Sequence, residues 1–153
     1  MPNDTSSEKQ RIVVLVGLPG SGKSTYLERL GITPLSSDGI RQLLADDATD
    51  QTIHARVFQS LRYLLRQRLA IGRPATYADA THLTPAERAP YIRMAARHHA
   101  IVEALYFDVP LDVCLKRNRG RSRVVPEDAV RTMAAKLVPP GVEEGFRRVT
   151  VVR

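Results

Sequence analysis

Near the start of the chain an unbroken apolar run, Ile12-Val13-Val14-Leu15-Val16, stands between a polar N-terminal stretch and a glycine-rich turn. A β-branched run without polar alternation predicts a parallel strand covered on both faces. Ser21–Leu30 covers the end of that turn and the first helix, with helix formers at Tyr26–Leu30, and Gly31 stands where a helix would stop. Pro34-Leu35-Ser36-Ser37 has room only for a short strand, after which Asp38 opens a helical turn reaching Leu44. From Gln51 to Ala70 the positions Ile53, Val57, Phe58, Leu61, Leu64 and Leu65 recur at helical spacing. Arg56, Arg62, Arg66 and Arg68 mark the polar face, so this is a long amphipathic helix. Gly72-Arg73-Pro74 ends it, and Ala75–Asp79 reads as a strand that finishes in a carboxylate.

The second half continues the alternation. Thr84-Pro85-Ala86-Glu87 supplies an N-cap, a proline at the first helical position and a glutamate at the third, ahead of a helix to about His98. Ala100–Phe107 is the next strand, Pro110–Arg119 a helix and Gly120–Val125 a basic loop. Pro126-Glu127-Asp128 starts another helix with acids in its first turn. Pro139-Pro140-Gly141 breaks that helix, and Arg148–Val152 can form a last strand. Strands alternating with helices predict an α/β fold, a mostly parallel sheet with helices on both faces. Ligands of such sheets bind beyond the carboxyl ends of the strands, and the glycine-rich turn, Asp38 and Asp79 all fall at such ends.

The 153 residues suit one domain, expected over 11–153 behind a disordered tail over 1–10. The net charge of +7 favours an anionic partner, nucleic acid among them. Cys114 is the only cysteine, which excludes an internal disulfide and fits a reducing cytoplasm. The polar start carries no signal peptide, and no apolar run approaches a membrane span. Neither an internal repeat nor a metal-ligand cluster is legible.

The turn after the first strand reads Gly17-Leu18-Pro19-Gly20-Ser21-Gly22-Lys23-Ser24-Thr25 and fits G-x-x-x-x-G-K-[ST]. Its strand and helix flanks are in place. Gly17, Gly20, Ser21 and Gly22 bring backbone N–H groups close to phosphate, Pro19 shapes the loop between them, and Lys23 adds a point charge. The Ser24 hydroxyl offers a hard oxygen for Mg²⁺, and Thr25 opens the helix behind it. Asp38 could orient an acceptor hydroxyl and take its proton; the alternative is a helix N-cap. Arg41, three residues on, could orient that carboxylate or grip an acceptor phosphate, or be a solvated arginine. Asp79 could hold Mg²⁺ through water or make an Asx turn. Thr81 and His82 could reach substrate from the same loop. In the run Lys116-Arg117-Asn118-Arg119-Gly120-Arg121-Ser122-Arg123, Arg117 and Arg121 face one way if the helix continues. Such a loop could close as a basic lid over a transferring phosphoryl group. Sparse aromatics at core-compatible positions show no stacking platform for single strands. His98-His99 reads as a helix-end pair.

Together, the glycine-rich loop, Ser36-Ser37-Asp38, Arg41, the Asp46–Thr52 acidic loop and Asp79-Ala80-Thr81 resemble P-loop polynucleotide 5′-kinases. The similarity is greatest to the kinase module of bacterial end-healing polynucleotide kinase-phosphatases. Arg117-Asn118-Arg119-Gly120-Arg121 and Glu144-Gly145-Phe146 extend it over nearly the whole chain after Lys9. The resemblance implies a parallel P-loop kinase sheet, with ATP and Mg²⁺ on Lys23 and Ser24. It implies Asp38 as general base toward a 5′-hydroxyl of RNA or DNA, Arg41 on the acceptor phosphate, and Arg117 and Arg121 on the donor phosphates. The chain departs from the family at Thr81-His82, where Thr-Asn is usual, and has no phosphatase or ligase module, so it reads as a free-standing kinase or a fragment. A kinase of a sugar, nucleoside or antibiotic, and a nucleotide-binding module without transfer activity, are the alternative readings.

Overall fold

The computed structural model describes residues 9–153. Its strands are β1 (Arg11–Val16), β2 (Leu35–Ser36), β3 (Ala75–Asp79), β4 (Ile101–Phe107) and β5 (Arg148–Val152). They form one sheet in the order β2-β3-β1-β4-β5, and every neighbouring pair is parallel. The apolar run thus lies at the sheet's centre, with Ile12 in register with Thr76 on one side and Val102 on the other.

The continuous patterning of β1 is explained by its two covered faces. Ile12, Val14 and Val16 face α3 (His54–Ala70) and α4 (Pro85–Arg97), meeting Val57, Leu61, Leu65, Tyr91 and Met94. Val13 and Leu15 face the other way, toward Leu27 of α1 (Lys23–Arg29) and Phe107. Each such side chain, almost entirely withdrawn from water, contributes about 1.5–3 kcal/mol. The remaining helices are α2 (Ser37–Ala45), α5 (Leu111–Arg119) and α6 (Glu127–Lys136), with a short 3₁₀ turn at Val142–Glu144.

Each helix start has a local reason, whether or not it falls where the spacing puts it. α1 begins at Lys23, because Gly22 is left-handed at φ +96°. α2 is capped by Ser36, whose hydroxyl accepts from the Gly39 N–H at 3.2 Å. Asp38 is therefore not the cap, and its carboxylate is free for other contacts. α3 begins at His54 rather than Gln51, since the Asp50 carboxylate accepts the Thr52 N–H at 2.8 Å and holds a turn there. Thr84 caps α4 as expected, accepting from Glu87 N–H at 3.3 Å.

The tail expected over 1–10 lies outside the described residues except for its last two. Of these, Gln10 is fixed: its side-chain amide donates to the carbonyls of Leu69 and Arg73 at 3.1 and 2.8 Å.

One buried ion pair ties the end of the chain to its middle. Arg88 on α4 is wholly buried, and its Nε and Nη2 each reach a Glu144 carboxylate oxygen at 2.9 Å. Its Nη1 donates to the His82 carbonyl at 2.8 Å, while Glu144 also accepts the Gly141 N–H at 3.0 Å. The clamp sets the segment that leads into β5.

Candidate active site

The glycine-rich loop leaves β1 and turns back at once. Gly20 and Gly22 sit at φ +82° and +96°, a region open to glycine. A Cβ on Gly20 would come 2.5 Å from the Cys114 carbonyl, so the loop is seated directly on α5. Lys23 Nζ folds onto the loop's own carbonyls, donating to Gly17 and Leu18 at 2.9 Å each. Burial lowers its pKa to about 8, with the Asp79 charge opposing the shift. The Ser24 hydroxyl donates to Asp79 Oδ2 at 3.4 Å. Burial raises the Asp79 pKa, against the pull of Lys23.

These residues fit a nucleoside triphosphate with Mg²⁺. The glycines open a cradle that side chains would fill, and the Ser21 hydroxyl is buried without a partner. Ser24 and Asp79 bring two hard oxygens together from two strand ends. Among the described residues no cluster of three or more His, Cys, Asp or Glu side chains could hold a metal by itself. That suits Mg²⁺, which keeps water and phosphate oxygens in most of its coordination sphere.

A proton count tests the lysine. At pH 8 Lys23 is about half deprotonated in the free protein, and a polyphosphate beside it restores the charged form. Binding of metal-free ADP should therefore take up as much as about half a proton at pH 8, whereas at pH 6.5 the lysine is already charged and the partly protonated terminal phosphate gives a net release instead. Affinity should fall as the pH rises further. Titration calorimetry in buffers of different ionisation enthalpy reads the uptake. Identical proton counts at the two pH values would contradict it.

A single cavity of about 850 Å³ joins this cradle to Asp38 and Arg41. Arg41 is 4% exposed and donates to Asp38 Oδ1 at 3.2 Å, while its Nε is buried without a partner. The other carboxylate oxygen, Oδ2, meets Arg123 Nη1 at 2.7 Å. Arg117 and Arg121 line the same cavity. Arg117 Nη1 lies 3.6 Å from the position a Cβ on Gly22 would take, and the Arg121 charge is felt by both Lys23 and Asp79. The helix does not continue under both arginines. α5 stops at Arg119, so Arg121 reaches in from the loop. That loop is held by Asn118, fully buried, whose amide donates to the Val125 carbonyl at 2.7 Å and accepts the Val125 N–H at 3.0 Å.

The structure brings Gly20, Gly22, Lys23, Ser24, Thr25, Asp38, Arg41, Asp79, Arg117 and Arg121 to one cavity, with Pro19 on its wall. Gly17 and Ser21 are the loop's inner supports: Gly17 N–H donates to the Thr81 carbonyl at 3.1 Å, and Ser21 is buried. Arg123 was not singled out by sequence reasoning. It stood in the basic run, but a run of cations does not say which member bends toward an acid 85 positions earlier.

His82 does not face substrate. It is 2% exposed and turned inward at φ +45°. Nδ1 lies 2.6 Å from the Leu15 carbonyl, which can only accept, so Nδ1 carries the proton. Nε2 then accepts from the Tyr91 hydroxyl at 2.8 Å. Burial lowers the His82 pKa to about 4, so the folded ring stays neutral where the unfolded one is protonated. Stability from this group is complete above about pH 6.5 and falls toward pH 4, by as much as about 3 kcal/mol. His82→Gln should flatten the decline in urea-unfolding free energy over that window. Equal slopes for the two proteins would show that the ring is not held neutral.

With the geometry in hand, comparison with known proteins places the chain. The profile of the AAA domain family matches residues 12–140. The chain belongs to this AAA domain family. Among relatives of this AAA domain protein is an L-seryl-tRNA(Sec) kinase of Methanococcus maripaludis, 22% identical over 139 residues. The match takes in 86% of this chain and 54% of that protein. A chain of the Pnkp1/Rnl/Hen1 RNA repair complex superposes with a TM-score of 0.72 at 20% identity, over 90% of this chain and 47% of that one. A gluconokinase from Sinorhizobium meliloti 1021 superposes at 0.56 and 21% identity, over 95% and 82%. The AAA domain protein thus spans about half the length of the tRNA kinase and of the RNA repair chain. Its fold is that of the P-loop kinases, in agreement with the parallel sheet and the phosphate cradle. Among the described residues no helix is long and apolar enough to cross a membrane.

Proposed function

We propose that this protein is an ATP- and Mg²⁺-dependent kinase that phosphorylates the 5′-hydroxyl end of RNA or DNA. The observation that carries the reading is the cavity shared by the Asp38/Arg41 pair and the phosphate cradle. The acceptor oxygen bonds to the γ-phosphorus as the bond to the β,γ-bridging oxygen breaks. The hydroxyl proton passes to Asp38, and the nucleoside diphosphate departs. Lys23 and the loop amides hold the β- and γ-phosphates. Ser24 and Asp79 hold Mg²⁺, which offsets phosphate charge when bound. Arg117 and Arg121 neutralise the transferring group. Arg41, with an unpartnered Nε, grips the phosphate next to the acceptor hydroxyl. Arg123 takes one lone pair of Asp38 Oδ2 and leaves the other for the proton.

The net charge of +7, and relatives named for tRNA and RNA repair, support an acceptor carried by nucleic acid. The reading is tested by incubation with γ-labelled ATP and a 5′-hydroxyl oligonucleotide. Label on the oligonucleotide is expected, with KM for it rising steeply with salt. Label on a small metabolite and none on the oligonucleotide would overturn it. The gluconokinase likeness favours that second reading, a small-molecule kinase, for which salt would matter little.

A further inference from the structure

Beyond the phosphate cradle and the Asp38/Arg41 pair, the cavity has a wall with no role in the mechanism above. Gln51, His54 and Phe58 line it. His54 is exposed and Phe58 half-buried, and their rings pack against each other as a tilted pair, with centroids 4.7 Å apart and planes at 43°. No stacking platform was legible in the sequence, where Phe58 read as a core position. The structure builds one because Phe58 stands between core and cavity.

The pair is braced from behind. The His82 ring meets Phe58 edge-on at 6.4 Å, and Tyr91 meets His82 edge-on at 4.9 Å. His82 cannot swing, since both its ring nitrogens are hydrogen-bonded within the core. A ladder of rings therefore runs from the centre of the protein to the cavity, where the outermost ring lies in the open. Phe58, braced this way, presents a firm π-surface at small entropic cost to whatever flat group lies against the pair.

Sheet order separates acceptor from donor. α2 follows β2, α5 follows β4, and β1 with its loop lies between those two strands. The His54–Phe58 pair is on α3, which packs against α2 and so joins the Asp38/Arg41 side. Arg117 and Arg121 approach from the α5 side. A flat group on the pair would thus belong to the molecule whose hydroxyl reaches Asp38.

We propose that the His54–Phe58 pair seats the nucleobase of the acceptor's 5′-terminal nucleotide, with the Gln51 amide able to meet the base edge. The inference rests on the polynucleotide kinase reading and deepens it.

The test compares two 5′-hydroxyl trinucleotides, one intact and one abasic at its 5′-terminal position, with γ-labelled ATP as donor. Stacking of a base on an aromatic side chain predicts a KM about tenfold higher for the abasic end, with kcat little changed. His54→Ala should raise KM for the intact end by a similar factor and leave KM for the abasic end where it was. Phe58→Leu, which keeps most of the buried volume, should behave the same way. Equal KM values for the two ends in the unaltered protein would overturn the proposal while leaving the kinase reading intact. So would losses that multiply in the variant with the abasic end, or a rise in KM for ATP in place of that for the acceptor. Label on neither oligonucleotide would overturn both readings.

Discussion

Asp38→Asn is expected to slow phosphoryl transfer to a 5′-hydroxyl oligonucleotide by about 10²–10⁴-fold, with nucleotide affinity changed far less. The amide has the carboxylate's shape, and its oxygen can still accept from Arg41 or Arg123, which hold the two carboxylate oxygens at 3.2 and 2.7 Å. It loses the charge, the second accepting oxygen and the ability to take a proton, and its NH2 is left facing the other arginine. Single-turnover kinetics at saturating nucleotide separate transfer from binding. A variant within threefold of the original rate would remove Asp38 from the chemistry and leave it as a positioning group for the two arginines.

Arg88→Met should produce the largest loss of stability, about 3–5 kcal/mol. The side chain is wholly buried and supplies three hydrogen bonds, two to Glu144 and one to the His82 carbonyl. Its removal strands a largely buried carboxylate. Burial alone would raise the Glu144 pKa, but the bonds from Arg88 and Gly141 win and hold it below the usual range. For a chain of this size the loss corresponds to a melting temperature lower by about 6–20 °C. Adding Glu144→Gln should restore part of it, because a neutral amide is cheaper to bury alone than a charge. A single variant that melts within about 2 °C of the original protein would show the clamp to be dispensable.

Much of this architecture could be read from local signals. The run Ile12–Val16 requires two covered faces, and the glycines, Lys23 and Ser24 specify a phosphate cradle by spacing alone. Asp38 and Asp79 stand out because both fall at the carboxyl ends of strands, and Arg117 and Arg121 because they lie four apart in the densest basic run. The residues that escaped have meaning only through distant partners. Arg88 acquires its role from Glu144, 56 positions away, and Arg123 from Asp38. His82 looked available because it follows a strand end, yet an inward turn delivers it to Leu15 and Tyr91. The helix expected from Gln51 starts three residues later at His54, since the Asp50 turn that delays it is a side-chain effect that apolar spacing cannot register.

The clasp between Asn118 and Val125 limits how far the arginine-bearing segment can stray. With both ends pinned to the same buried amide, Arg119–Val124 can only go out and return, a reach of about 10 Å at full extension. Arg121 and Arg123 are thus on a short tether: even fully swung away, their guanidinium groups hover near the cavity mouth, keeping its entrance positive for the next anion to arrive.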